Sequence, residues 1–224
     1  FSGEINMSWI YTNSGKHFNL INPRPEQICI DDIACGLSNI CRFTGQLNEF
    51  YSVAQHSVLA SHIVPPEFAF EALMHDAQEA YLGDVSSPLK GLLPDYRRIE
   101  RVVEMVIRMN YGLPVVMSSV VKHADLTLLA TERRDFDMDD GTPWPILEGI
   151  EPLVSVISPL SPRQAMVQFL NRFYELYSQH VSDLQVMRIS LDNVTHQLAE
   201  TGINAGSVQQ GVMQLINSRG RTND

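Results

Sequence analysis

Three short stretches of this sequence carry residue types that can bind a divalent cation and move a proton. They are Val53-Ala54-Gln55-His56-Ser57, Leu73-Met74-His75-Asp76-Ala77-Gln78-Glu79 and Lys122-His123-Ala124-Asp125. Imidazole and carboxylate donors suit a borderline divalent ion such as Mn, Fe, Co, Ni or Zn. His56, His75, Asp76 and Asp125 are therefore the candidate metal ligands. Adjacent residues on a helix point about 100° apart, so His75 and Asp76 share an ion only if it sits in a crevice over their helix. His56 and Asp125 must then come from neighbouring helices, as in metal sites built on helical bundles. Glu79 follows His75 by four residues, one helical turn along on the same face. It reads as a proton-transfer group beside the metal rather than a ligand, placed to serve a leaving group or to orient water.

A single histidine on a helix is more often a packed or exposed residue than a ligand, and a His-Asp pair arises readily by chance. The combination carries the argument: a histidine on a separate helix, an apolar lead-in to His-Asp, Glu79 three residues after Asp76, and a later Asp125. Asp125 precedes Leu126, Leu128, Leu129 and Ala130; a carboxylate buried in so apolar a segment needs a partner. Gln55 and Ser57 flank a ligand and read equally well as its supports or as helix-surface residues. His17, His62 and His123 have no such context and read as structural or exposed.

The elements that must position these residues are helices. Asp31 and Asp32 open one, followed by Ile33, Leu37, Ile40 and Cys41 at helical spacing. Further helices are predicted over about Ser52–Ile63, stopping at Pro65-Pro66; Glu67–Tyr81, ending near Gly83; Tyr96–Tyr111, ending at Gly112; Ser118–Phe136; and from Pro162 to about Gln179. Trp9–Pro25 reads as an irregular arm or short hairpin, and Gly141–Pro159 as a Pro-rich loop with a short strand at most. Helices joined by loops without alternating strands define an all-α domain. It is expected over residues 7–180, with a C-terminal helical extension over residues 181–224 that includes polar stretches around Leu184–Leu198 and Val208–Ile216.

The chain has 224 residues, 44% of them hydrophobic, which suits one ordinary core. Its formal charge of −10 opposes general binding to a nucleic-acid backbone. The small basic groups Arg97, Arg98 and Arg101, and Arg133 and Arg134, read as solvated faces. A small anionic substrate remains compatible, because a bound metal and a few cations reverse the field inside a pocket. Cys29, Cys35 and Cys41 are odd in number and six residues apart, neither a disulfide framework nor a zinc pattern. They read as buried free thiols in a reducing cytoplasm. No apolar run is long enough to span a bilayer. Phe1–Asn6 carry neither a charged nor an apolar leader region, and Met7 reads as the natural start.

The order His56, His75-Asp76, Asp125 resembles that of the HD superfamily of metal-dependent phosphohydrolases. From about Ser38 to Asp140 the text is similar to the bacterial 5′-deoxynucleotidases of the YfbR and YfdR kind, most of all to the prophage-borne YfdR proteins. The residues that carry this are Leu37-Ser38-Asn39-Ile40-Cys41-Arg42-Phe43, Phe50-Tyr51-Ser52-Val53-Ala54-Gln55-His56-Ser57, Glu71-Ala72-Leu73-Met74-His75-Asp76, Pro88-Leu89-Lys90 and Ala124-Asp125, then Ala130-Thr131-Glu132-Arg133-Arg134-Asp135. The likeness runs from about Ser8 to Gln179 and leaves out the C-terminal stretch.

The resemblance implies that His56, His75, Asp76 and Asp125 hold a divalent ion (Mn, Co, Fe, Zn, Ni or Mg) and that Glu79 is the catalytic acid or base. It implies that Asp84 favours 2′-deoxy substrates and that Arg42 faces the substrate. Phe43 stands where the YfbR pattern has tryptophan, keeping an aromatic surface without the indole donor. Lys90 reads equally well as a phosphate contact or as a surface lysine. The implied activity is removal of phosphate from a 2′-deoxynucleotide, a deoxyadenosine mono-, di- or triphosphate among the candidates, by a cytoplasmic homodimer or larger homo-oligomer. Which phosphate bond breaks is left open. No GxxxxGK[ST] loop is present, so phosphate binding falls to the metal and side chains. Glu79 is followed by Ala80, unlike the Glu-Asp of alarmone hydrolases, and a Gly-Tyr-Pro motif is absent. A phosphodiesterase or triphosphohydrolase on another small nucleotide, or a nucleotide-sensing protein of the same fold, is the alternative.

Overall fold

The computed structural model describes residues 7–200. The leading Phe1–Asn6 and the stretch Val208–Ile216 lie outside the described residues. The architecture is all-α, with a short N-terminal arm. In that arm β1 (Trp9–Tyr11) pairs antiparallel with β2 (His17–Asn19), placing Ile10 opposite Phe18. Phe18 is fully buried and stacks on Tyr81 at 3.9 Å, which pins the hairpin to the helical body.

Helix α1 (Ile30–Asn39) begins with Asp31 and Asp32 at its positive end. The Ser14 N–H and hydroxyl donate to Asp32 at 2.6 and 2.7 Å, so the hairpin turn is tied to this helix start. Helix α2 (Val53–His62) is capped by Ser52, whose hydroxyl accepts the Gln55 N–H at 3.1 Å. Nearly all of α2 is buried, because α1, α3, α7 and α8 surround it. A central helix of this kind is where a ligand such as His56 can be both enclosed and held rigidly.

The stretch predicted as one helix over Glu67–Tyr81 is not continuous. It divides into α3 (Ala69–Met74) and α4 (Glu79–Leu82), with a bend at residues 75–78. Through the bend, Ala77 N–H bonds Met74 O at 3.1 Å, Glu79 N–H bonds Asp76 O at 2.9 Å and Tyr81 N–H bonds Gln78 O at 3.1 Å. These i→i+3 bonds mark a tighter, 3₁₀-like path. The His75 imidazole supplies a reason. Its Nδ1 donates to Ala72 O at 2.7 Å, the carbonyl to which a regular helix directs the Asp76 N–H. Helix α4 stops at Gly83, whose φ of 79° suits only a residue without a side chain. Helix α4 also lies close on α1, where a Cβ on Gly36 would meet Ala80 O at 2.7 Å.

The short helix α5 (Ser87–Leu92), with Pro88 in its first turn, was not anticipated. It leads into α6 (Pro94–Asn110), and α7 spans Ser119–Asp135. Helix α8 (Pro162–Glu200) continues through position 180 without a break, so the C-terminal extension begins inside a helix that also packs on α1, α2 and α3. The main core joins Phe18, Leu37, Val53, Leu73, Ile107 and Phe169, among others.

Residues 141–159 hold a 3₁₀ turn at Pro145–Leu147 and no strand. Arg133 and Arg134 are not a free solvated face, because they hold this loop. Arg133 donates to Thr142 O at 2.7 Å with its guanidinium 4.9 Å from the Trp144 ring, and Arg134 donates to Leu153 O and to Ser155 O. Arg97, Arg98 and Arg101 are exposed as expected. The three cysteines are free and half-buried rather than buried.

Candidate metal centre

The fold brings residues from three separate segments to one point. His56 comes from the middle of α2, His75 and Asp76 from the bend, and Asp125 from α7. His56 Nε2 lies 3.3 Å from His75 Nε2 and 3.3 Å from Asp125 Oδ1. Asp76 Oδ2 lies 3.1 Å from His75 Nε2 and 3.8 Å from His56 Nε2. His56, His75 and Asp125 form a group that could hold a metal ion, and Asp76 stands beside both imidazoles.

The tautomers test whether a cation fits. His75 Nδ1 faces the Ala72 carbonyl, which can only accept, so Nδ1 carries the proton. His56 Nδ1 faces the Glu132 carboxylate at 2.7 Å and carries its proton there. With both imidazoles neutral, as metal ligation requires, each Nε2 offers a lone pair, and the two would meet at 3.3 Å next to two carboxylates; without a metal, a proton retained on His56 separates them. A cation between them resolves the repulsion. Second hydrogen bonds that orient the imidazole and fix its tautomer are the usual companions of metal-binding histidines.

Glu132 was not singled out from the sequence, yet it organises this side of the site. It is fully buried and accepts from Arg42 Nε and Nη2 at 3.1 and 2.8 Å, from the Tyr51 hydroxyl at 3.0 Å and from His56. Burial pushes its carboxyl upward, but Arg42 and His56 outweigh burial and hold it below the usual range. The available signal was its spacing: Glu132 lies seven residues after Asp125 on α7, two turns along on the same face.

The same charges set the imidazoles and ligand carboxylates. Burial and Arg42 depress the His56 pKa, while Glu132 and Asp125 outweigh them and lift it to about 9. Asp76 is raised by burial, but His75 and then His56 draw it down to about 2. Asp125 is likewise pulled down against burial by the two histidines. The site is thus built to keep its carboxylates ionised.

Glu79 opens α4 and is 4% exposed. Its Oε1 is 3.3 Å from Lys90 Nζ, and its buried Oε2 has no hydrogen-bond partner among the described residues. Burial, then Asp76 and Asp84, push its carboxyl well above the ordinary value, against Lys90 and Arg42. The tight bend changes the expected facing. On a 3₁₀ path residues three apart eclipse, which aligns Glu79 with Asp76 rather than His75.

Other expected contacts sit differently. Arg42 does not point freely at a substrate: its guanidinium is spent on Glu132, with Nη1 4.0 Å from Asp76 Oδ2. The guanidinium also lies 5.3 Å from the Phe43 ring, in a loop where Phe43 and Thr44 both take left-handed φ values of 54° and 57°. Such non-glycine conformations cost of order 1–3 kcal/mol each and are held by their surroundings. Asp84 is half-buried; burial and Asp76 raise its carboxyl against the opposing pull of Arg42 and Lys90. Gln55 serves the chain entering α8, donating to Ser158 O at 2.8 Å and accepting the Leu160 N–H at 2.9 Å. The Ser57 hydroxyl is buried without a partner among the described residues. His17 stacks on Trp9 at 3.9 Å, while His62 and His123 are exposed; His123 lines a shallow apolar pocket with Ile63, Pro65 and Leu153.

Fold and site define a class: an all-α protein with a candidate metal centre of two histidines and carboxylates, enclosed by helices. No family model matches the chain. It is 59% identical over 172 residues to the uncharacterized protein YfdR of Escherichia coli (strain K12), covering 76% of this chain and 96% of that protein. The chain belongs to the YfdR family. It is also similar to an uncharacterized protein of Rhodobacter capsulatus, 32% identical over 127 residues, covering 52% of this chain and 65% of that one. Among the described residues no helix is long and apolar enough to cross a membrane.

Proposed function

We propose that this protein is a divalent-metal-dependent phosphohydrolase of the HD type, acting on small nucleotides with preference for 2′-deoxynucleotides. One observation carries the reading: the Nε2 atoms of His56 and His75 meet at 3.3 Å between Asp76 and Asp125, and a buried oxygen of Glu79, three residues after Asp76, has no partner among the described residues. His56, His75, Asp76 and Asp125 would hold the ion. A divalent cation there supplies Lewis acidity toward a phosphoryl oxygen and makes a nearby water more acidic.

The chain's own residues do the rest. Glu79, kept protonated more readily than an ordinary carboxyl by its burial and by Asp76, can hand a proton to the departing sugar oxygen or take one from water through its free Oε2. Glu132 holds the His56 ring so that Nε2 points inward. Arg42 neutralises Glu132 and offers its remaining charge on the side of Asp76. Asp84 would read the sugar, a role that rests on the resemblance alone.

The test is phosphate release from deoxyribo- and ribonucleoside mono-, di- and triphosphates with Mn, Co, Mg or EDTA. Metal-dependent turnover with deoxyribose favoured is the expected result. Absence of turnover with every metal sinks the enzyme reading, and equal turnover by Asp76→Ala sinks the ligand assignment. A preference for ribose removes the role given to Asp84.

A further inference from the structure

Lys90 is held on three sides. Its Nζ lies 2.6 Å from Glu100 Oε1 and 3.3 Å from Glu79 Oε1, with the Tyr96 ring centre 6.0 Å away. Tyr96 is itself fixed by donating its hydroxyl to Gly83 O at 3.2 Å, just beyond the end of α4. Lys90 belongs to α5, while Tyr96 and Glu100 belong to α6. The ammonium therefore links α6 to the first residue of α4, Glu79. An ammonium with two carboxylates and 20% side-chain exposure has little left for a phosphate.

The bond lengths rank the two partners. Glu100 takes the short bond, so it decides where Lys90 stands. Among the described residues Lys90 is the hydrogen-bond partner of the Glu79 carboxylate, and it engages one oxygen and leaves the other bare. The orientation of Glu79 is thus set by Lys90, and that of Lys90 by Glu100, whose side chain is 15% exposed.

We propose that Glu100 is a positioning residue that fixes Glu79 through Lys90, so that Oε2 alone is presented to the reacting groups. The proposal deepens the phosphohydrolase reading and rests on it for its catalytic consequence. It replaces the phosphate-contact reading of Lys90 with a structural relay.

The experiment compares wild type, Glu100→Gln, Lys90→Met and Lys90→Arg. Expected are kcat values about tenfold lower or more for the first two variants, at unchanged KM and unchanged Mn affinity by calorimetry. Lys90→Arg, whose planar fork can span both carboxylates, retains most of the activity. A second readout needs no turnover: in the metal-free protein, modification of Lys90 by a small amine-reactive reagent is followed by mass spectrometry against Lys122. Glu100→Gln should raise Lys90 modification several-fold.

A rise in KM alone for Lys90→Met, with Glu100→Gln neutral, overturns the proposal and makes Lys90 a phosphate contact. Unchanged Lys90 modification in Glu100→Gln also overturns it. If Glu100→Gln does not fold, the split between Lys90→Met and Lys90→Arg decides. A wild-type protein without turnover takes down the phosphohydrolase reading, and the modification experiment then accepts or rejects the relay by itself.

Discussion

Glu71 and Glu79 stand four residues before and four residues after His75, and both are buried, at 5% and 4% exposure. Their surroundings differ completely. Glu71 accepts from Arg108 Nη2 at 2.6 Å and from the Ser118 N–H at 2.9 Å on one oxygen, and from the Ser118 hydroxyl at 2.7 Å on the other. It ties α3 to α6 and to the start of α7, and nothing about it is available for chemistry. Among the described residues Glu79 has one cationic partner on one oxygen and none on the other. A saturated buried carboxylate is architecture, whereas a buried carboxylate with an empty oxygen costs stability and keeps that oxygen available for chemistry. Helix α6 supplies both arrangements, through Arg108 in its last turn and Glu100 about two turns earlier.

That contrast makes the largest prediction. Glu71→Ala removes the short charge partner of Arg108, which is 1% exposed, and leaves it Glu104 at 3.6 Å; it should lower unfolding free energy by about 3 kcal/mol. Glu79→Gln should lose no stability, since it removes a carboxylate that is incompletely bonded. Urea unfolding of the metal-free proteins checks both, and a matching loss in the two variants would erase the distinction. Activity should show the reverse pattern. Glu79→Gln is expected to lower kcat by about 10²–10⁴-fold with Mn affinity unchanged. A Glu79→Gln enzyme with full kcat would return Glu79 to the same class as Glu71.

The sequence distinguishes these two residues poorly, and the reason is physical. Spacing from His75 is symmetric, while the partners that differ come from α5, α6 and α7. Local signals served better. The Ser52 cap and Pro65-Pro66 bound α2, and Asp31-Asp32 opens α1, because capping and proline effects act within a turn. His56, His75 and Asp125, which the fold brings together as a possible metal-binding group, were legible from residue type and order. The bend at residues 75–78 was not, because it depends on a side chain, His75, competing for a backbone carbonyl. The pairing of Arg42 with Glu132 was not legible, because the two are 90 residues apart. Glu132 itself was within reach, two turns after Asp125 on one helix face.

Glu132 gives an intermediate effect that sharpens the comparison, since it is a saturated carboxylate like Glu71 but touches a ligand. Glu132→Gln keeps the shape and loses the charge that orients His56 and neutralises Arg42. Mn affinity should weaken by about 10–100-fold, measured by calorimetry. Unchanged affinity would mean that His56 is oriented by packing alone, and that Glu132 belongs with Glu71.

The smallest effect is a slope of stability against pH in the metal-free protein. The folded state holds the Glu79 carboxyl well above its ordinary value of 4.5, chiefly by burial and by Asp76. Between 4.5 and that raised value the unfolded chain has released the proton and the native state has not. Unfolding therefore releases a proton, and stability falls as pH rises through this window. His56, lifted to about 9, adds a slope of the same sign as pH rises from 6.5 through 9. Comparing wild type with Glu79→Gln isolates the first contribution, because His56 is present in both. Unfolding in urea at steps from pH 5 to 8 with EDTA should give a shallower decline for Glu79→Gln. Parallel curves would show that Glu79 is ionised in the folded protein, and the empty Oε2 would then be a carboxylate oxygen able to take a proton but not to give one.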